Sequence, residues 1–184
     1  RQIMWFLAPA DVRGTSFLRI SHEDRSDDMW LYLPAFKKVR RIASGARKEN
    51  FMGSDFTYED MEKRKIKDYT YKLLREESLG DHECYVVESI PKGGVDSDYG
   101  RIISWVWKDS YLIIKEELYD RKGKLQKVKT MSGIEKRDQY WIPGELKMEN
   151  VQKQHVTDIA FDEIEVDTGV EDDLFSTTYL ERIR

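Results

Sequence analysis

Three histidines, a lone cysteine, two pairs of neighbouring carboxylates and one dense basic run are the residues with which this chain could do chemistry. His22, His82 and His155 are scattered, two of them in or beside turns. None has a second histidine at metal-ligand spacing, so each reads as a surface or structural residue. Cys84 stands alone, which excludes an internal disulfide framework and a cysteine-based metal site. Glu116 and Glu117 are neighbours on an expected strand, where they point to opposite faces and cannot share a proton. Asp172 and Asp173 fall in a polar terminal stretch suited to solvation or capping. There is no nucleophile elbow, zinc-protease helix motif, phosphate-binding loop or dinucleotide fingerprint. These residues do not support catalysis, and no metal or other cofactor is expected.

Lys37, Lys38, Arg40 and Arg41 form the basic run. On a strand, Lys37 and Arg41 flank Val39 on one face, while Lys38 and Arg40 share the other with Ile42. Such a strand serves either as a solvated edge that blocks aggregation or as a docking surface for an acidic partner or lipid headgroups. At an anionic membrane surface each charge is worth about 1 kcal/mol. A net charge of −4 gives no global attraction to nucleic acid, and no aromatic stacking platform accompanies the basic residues. Nucleic acid is therefore not an expected partner.

The aromatic and sulfur-bearing residues Trp30, Tyr32, Phe36, Phe51, Met52, Phe56, Trp105 and Trp107 are the candidate ligand-binding set. Singly, each is as well explained by an ordinary core. Together they resemble the wide apolar wall of a hydrophobic-ligand cavity, with Trp105 and Trp107 expected on one strand face beside Tyr99 and Tyr111.

The elements that must position these side chains are mostly strands. Met29–Met61 reads as an aromatic strand, a proline corner, the basic strand over 37–42, a loose loop and a short helix. Thr57 is the expected N-cap, Asp60 its capping-box partner, and Phe56 with Met61 the hydrophobic staple. Ahead of it, 15–21 reads as a strand and 22–28 as a solvated hairpin loop. After it come a hairpin over 68–90, a long connection over 91–100, and strands at 101–108, 111–120, 124–136, 139–149 and 155–166. Turns this short force antiparallel neighbours, so the second half is expected to be a meander. Its last strands have an apolar face, with Tyr140, Ile142, Leu146, Met148, Ile159 and Phe161 against Trp141, Glu145, Lys147, Glu149, Asp158 and Asp162. One short helix covers little of such a face. The expectation is a mainly β (α+β) fold, a curved antiparallel sheet with an under-covered interior.

At 184 residues, 40% hydrophobic and 36% charged, the chain is expected to be one highly charged domain with a real core. No apolar run approaches the roughly 20 residues of a transmembrane helix. Arg1 is not an initiator and the chain opens mid-strand, so upstream sequence, with any signal peptide, is expected to have been removed.

Several segments resemble the outer-membrane lipoprotein-sorting proteins of the LolA/LolB-like superfamily. They are FLAPADVRGTSFL (Phe6–Leu18), MWLYLPAFKKVRRI (Met29–Ile42), FMGSDFTYEDM (Phe51–Met61), YDRKGKLQKV (Tyr119–Val128) and DDLFSTTYLER (Asp172–Arg182). The resemblance implies an incomplete antiparallel barrel, open on one side, with short helices on its concave face and a hydrophobic cavity between. It implies a single LolA/LolB-like domain over 1–184 that lacks the family's N-terminal helix and first strands. By the same resemblance, the protein is a periplasmic, non-catalytic carrier or binder of a lipid or an acylated protein, with loops 43–53 and 91–100 gating the cavity. The alternative is a periplasmic interaction subunit of an inner-membrane lipid exporter of the resistance-nodulation-division type, docked through Lys37, Lys38, Arg40 and Arg41.

Overall fold

The computed structural model describes residues 1–182. The chain divides into two compact units, one built from residues 1–47 and the stretch from Glu165 onward, the other from Lys48–Ile164.

In the first unit, β1 (Gln2–Trp5), β2 (Ser16–Ile20), β3 (Asp28–Leu33) and β4 (Lys38–Arg41) form an antiparallel sheet in chain order. Adjacent residues Phe17 and Leu18 on β2 are both fully buried, so this strand is covered on both faces. Met29 and Leu31 extend the Phe17 side. On the Leu18 side lies a short helix, α1 (Thr177–Leu180), whose Leu180 is buried and whose last carbonyl accepts from Ser16 Oγ at 2.8 Å. Trp30 and Tyr32 occupy this second face and are half-buried. Lys37 leaves the basic strand for a turn at φ 49°, so β4 begins at Lys38.

The loop over 22–28 is solvated as expected over 23–26 but not at its end. Asp27 and Asp28 are buried, and the loop wraps around their carboxylates. Asp27 accepts from Arg19 Nη1 (3.2 Å), Ser21 Oγ (3.3 Å) and the His22 amide (3.3 Å). Asp28 binds His22 Nε2 (2.8 Å), Arg25 Nη2 (2.6 Å) and Arg41. A run of seven polar residues reads as solvent-facing from composition alone, but two acids among three cations and a histidine can satisfy one another out of water. Hydrogen bonding from Arg25, and then from Arg41 and His22, holds the Asp28 carboxyl well below the usual range despite its burial.

The second unit is the meander. β5 (Tyr69–Leu79), β6 (His82–Pro91), β7 (Tyr99–Trp107), β8 (Ile113–Asp120), β9 (Leu125–Ser132), β12 (Glu145–Asn150) and β13 (His155–Ala160) lie side by side in that order, each antiparallel to the next. The expected strands over 124–136 and 139–149 are each broken once, and β10 (Glu135–Arg137) pairs with β11 (Tyr140–Ile142) as a separate hairpin tip. The break is at Gly133 and Gly144. Gly133 sits at φ 60°, and the Gly144 amide donates to the carbonyls of Ser132 (3.1 Å) and Gly133 (2.9 Å). Among the described residues β5 and β13 do not pair with each other, so the sheet is an open one and no closed barrel forms.

One sheet face carries a packed cluster of Cys84, Val86, Trp105, Trp107 and Ile114, flanked by Leu74, Leu79, Ile103, Leu112, Ile134 and Trp141. Tyr99 does not join Trp105 and Trp107 there. A register shift at Gly100 turns Tyr99 to the opposite, inner face. A Cβ at Gly100 would stand 3.1 Å from both the Arg121 Cα and the Asp120 carbonyl oxygen, so the strands approach there only because the side chain is absent. Gly100→Ala is accordingly expected to destabilise the protein by about 1–3 kcal/mol, the usual cost of overpacking, read as a lower urea midpoint at unchanged slope.

Candidate functional site

The inner face of the seven-stranded sheet is crossed by the segment between Phe51 and Asp68, a strap that runs from β13 towards the start of β5. It opens with a tight loop closed by the Asn50–Thr57 bridge and by the Phe51 amide donating to the Phe56 carbonyl at 2.7 Å. The predicted capping box forms: the Thr57 amide donates to Asp60 Oδ2 (2.8 Å) and the Asp60 amide to Thr57 Oγ1 (3.3 Å). The helix it was expected to start is a single 3-10 turn, Glu59–Met61, followed by another at Ile66–Asp68. The side chains that would have supported a longer helix are instead spent on the sheet.

Three tethers fix the strap. At β13, Asp55 Oδ2 meets His155 Nδ1 (2.6 Å) and accepts from Thr157 Oγ1 (2.7 Å), while the Asp55 amide donates to the same Thr157 oxygen at 2.9 Å. At β9 and β7, Asp60 accepts from Lys127 Nζ (2.9 Å) and from the Tyr99 hydroxyl (2.8 Å). At β8, Arg64 reaches Glu116, which also pairs with Lys129 and accepts from Ser104 Oγ at 3.0 Å.

Electrostatics explain why these acids stay charged under cover. Burial pushes the Glu116 carboxyl up, but the charges of Lys129 and Arg64 outweigh it and hold it at about 2. Burial likewise raises Asp55, and hydrogen bonds from Thr157 and His155 reverse the sign. Glu59 goes the other way: burial pushes its carboxyl up, although Ser97 Oγ and the Asp98 amide (3.0 Å) both donate to it. Glu59 clasps the connection over 91–100 to the strap, and Lys48, just ahead of the strap, holds it as well, with Nζ 2.8 Å from Asp96. Burial, with Asp60 beside it, pushes the Tyr99 hydroxyl far up, so it remains a hydrogen-bond donor.

The strap covers the face unevenly. In register, Glu116 lies opposite Ser104, Ser104 opposite Val87, and Val87 opposite Leu73. At the β5 end of this row Leu73 is 55% exposed, and Tyr71, one step along the same face, 47%. The inner face thus changes from ionic and roofed at its centre to apolar and open at its β5 edge.

The predicted site residues are spread over these surfaces. Phe51 and Phe56 are buried in the strap, and Met52 is half-buried at φ 50°. Trp105 and Trp107 pack on the face opposite the strap, Trp107 edge-on to Trp141 at 4.6 Å and beside His82 at 4.2 Å. Trp30, Tyr32 and Phe36 belong to the first unit, Phe36 on an exposed turn. A cleft of about 400 Å³ there is lined by Trp30, Val39, Arg41, Thr177, Thr178 and Glu181, so one aromatic and one basic candidate meet across it. Lys37, Lys38 and Arg40 are exposed, whereas Arg41 is engaged with Asp28. Sequence reasoning missed Asp55, Arg64, Glu116, Lys127 and Lys129. A partial signal existed in the alternation of β8, which puts Glu116 in phase with Leu118; it is the pairing that sets Lys127 opposite Leu118 and Lys129 opposite Met148. Among the described residues no group of acids, histidines and cysteine could hold a metal ion, and no helix is long and apolar enough to cross a membrane.

A family model whose description reads only as uncharacterised protein matches residues 1–182. No curated protein matches the chain. Among solved structures, a domain assigned to outer membrane lipoprotein-sorting proteins from Vibrio parahaemolyticus is 37% identical, with a TM-score of 0.92 over 98% of this chain and 77% of that one. A DUF1329 family protein from Desulfovibrio piger is 35% identical, with a TM-score of 0.91 over 97% of this chain and 75% of that one. A LolA superfamily protein from Nitrosomonas europaea shares the fold at 21% identity, with a TM-score of 0.71 over 96% and 76% of the two chains.

The central tether is open to direct measurement. Glu116→Gln leaves Arg64 and Lys129 without their counter-charge and is expected to cost about 3 kcal/mol of unfolding free energy at neutral pH. Because the folded carboxyl sits at about 2 against an ordinary 4.5, its contribution is complete above pH 4.5 and fades as pH falls towards 2. The gap between wild type and variant in urea titrations is therefore expected to be constant above pH 5 and to close on acidification.

Proposed function

Because the chain belongs to the outer membrane lipoprotein-sorting protein family (DUF1329) and has the fold of the LolA superfamily, we propose that it is a non-catalytic periplasmic carrier or binder of a lipid or a lipidated protein. The observation that carries this reading is the uncovered apolar end of the inner face. Tyr71 and Leu73 are exposed on a face whose centre is roofed by the strap. Acyl chains laid along that edge would gain about 0.8 kcal/mol per methylene removed from water. The connection over 91–100, held by Glu59 on the strap and by Lys48 just ahead of it, is the segment whose release would widen access.

A second reading, a periplasmic subunit that docks on an inner-membrane lipid exporter, is supported by Lys38 and Arg40 on the exposed edge strand β4. The two readings differ in cargo. A docking subunit needs its basic edge and no lipid, whereas a carrier needs the apolar edge of β5.

On the carrier reading, mass spectrometry of organic extracts from purified protein finds lipid, and a fluorescent fatty acyl probe is taken up. Leu73→Glu with Tyr71→Glu weakens that uptake at least tenfold, a loss of about 1.4 kcal/mol or more, while thermal melting stays within a few degrees because both positions are exposed. Protein that repeatedly carries no lipid and takes up no probe would sink the carrier reading.

A further inference from the structure

We infer that the inner face selects an anionic amphiphile, its headgroup on Arg64 and Lys129 and its tail over Val87, Leu73 and Tyr71. This deepens the carrier reading and rests on it.

The argument begins with charge. Arg64 and Lys129 share one carboxylate, Glu116, and these three ionised groups sum to +1. Two other lysines that reach this face are already balanced: Lys127 by Asp60, its side chain only 3% exposed, and Lys108 by Glu76 at 2.7 Å. The shared carboxylate does not exhaust the two cations. A guanidinium offers five N–H donors and an ammonium three, against four acceptor positions on Glu116, one of which Ser104 uses. Nor are they sealed, since the Arg64 and Lys129 side chains remain 27% and 23% exposed while Glu116 is 1% exposed. A negative group of small size could therefore add to this centre from solvent without displacing Glu116.

Geometry supplies the other half of the ligand. The row Glu116, Ser104, Val87, Leu73 runs straight across β8, β7, β6 and β5. Three strand spacings make it about 14 Å long. It is charged at one end, neutral at Ser104, and apolar and exposed at the other, where Tyr71 lies one step along the same face from Leu73. A molecule complementary to the whole row has one negative head and a hydrocarbon tail of comparable length. A polypeptide acylated through neutral linkages presents no charge at the head of its chains and would forfeit the ionic half of the site.

The test compares a fluorescent fatty acid bearing a free carboxylate with its methyl ester, the same tail without the charge, both titrated into the purified chain at neutral pH. The expected result is about tenfold tighter binding of the acid, equivalent to about 1.4 kcal/mol, and a preference that shrinks as salt is raised. Lys129→Gln leaves Glu116 paired with Arg64, and in this variant the ratio of the two affinities falls to near one. Should that variant not fold, the salt series on wild type still reads the ionic contribution. Equal affinities for acid and ester in wild type would overturn the headgroup assignment and leave the carrier reading intact. A preference that survives Lys129→Gln would overturn its placement. Displacement of the acid by acetate as effectively as by unlabelled dodecanoate would show a free-anion site and overturn the amphiphile. Failure of both probes to bind would instead remove the carrier reading, and this inference with it.

Discussion

The buried carboxylate of Glu116 is the point on which the second unit turns. It lies at the centre of the seven-stranded sheet, on β8, and a strap of irregular backbone crosses above it. An apolar trio of similar volume would hold the strap as firmly, since desolvation consumes much of what an interior ion pair gains. What charge adds is position. Arg64 meets its counter-charge under cover at Glu116, Asp60 at Lys127 and Tyr99, and Asp55 at Thr157 and His155. Three such matches leave the strap one register on the sheet, where a greasy contact would leave several.

The first unit solves a similar problem by similar means. Its loop before β3 has little apolar side chain with which to pack, and folds around Asp27 and Asp28 instead. Arg41 of β4 closes that cluster, which ties the basic edge strand to the loop two strands away in sequence. In both units buried acids organise segments that lack regular secondary structure, with cations drawn from the sheets (Arg19, Arg41, Lys127, Lys129) and from the segments themselves (Arg25, Arg64).

Much of this was legible in the residues. The meander, its antiparallel order and the alternating faces of β12 and β13 followed from turn spacing and period, because short turns leave a chain no other arrangement. The capping box at Thr57 and Asp60 was legible as well, but not the length of what it caps. A cap specifies a start. How far a helix runs depends on whether its later side chains have a better use, and Arg64 has one at Glu116. The ionic interior was hidden for a related reason. Lys127 and Lys129 stand in a strand rich in charge, and only the cross-strand register, fixed by bulges near Gly100 and Leu118, shows that they point inward. The eight candidate aromatic and methionine residues illustrate the same limit, since composition does not say which will be covered, as the exposed Phe36 shows, nor by what.

The strap also has a place in time. Each of its tethers joins a residue to one that comes later in the chain, 52 positions on for Arg64 with Glu116, 67 for Asp60 with Lys127 and 102 for Asp55 with Thr157. Contacts of such long separation are closed only after the intervening chain has been organised, since loop closure costs entropy before any contact repays it. The strap is therefore synthesised before every surface it will rest on and is among the last parts to settle. The tether at β13 has its partner only after those at β8 and β9 have theirs, and the apolar edge at Tyr71 and Leu73 is the part of the inner face that the strap leaves bare even when all three are closed.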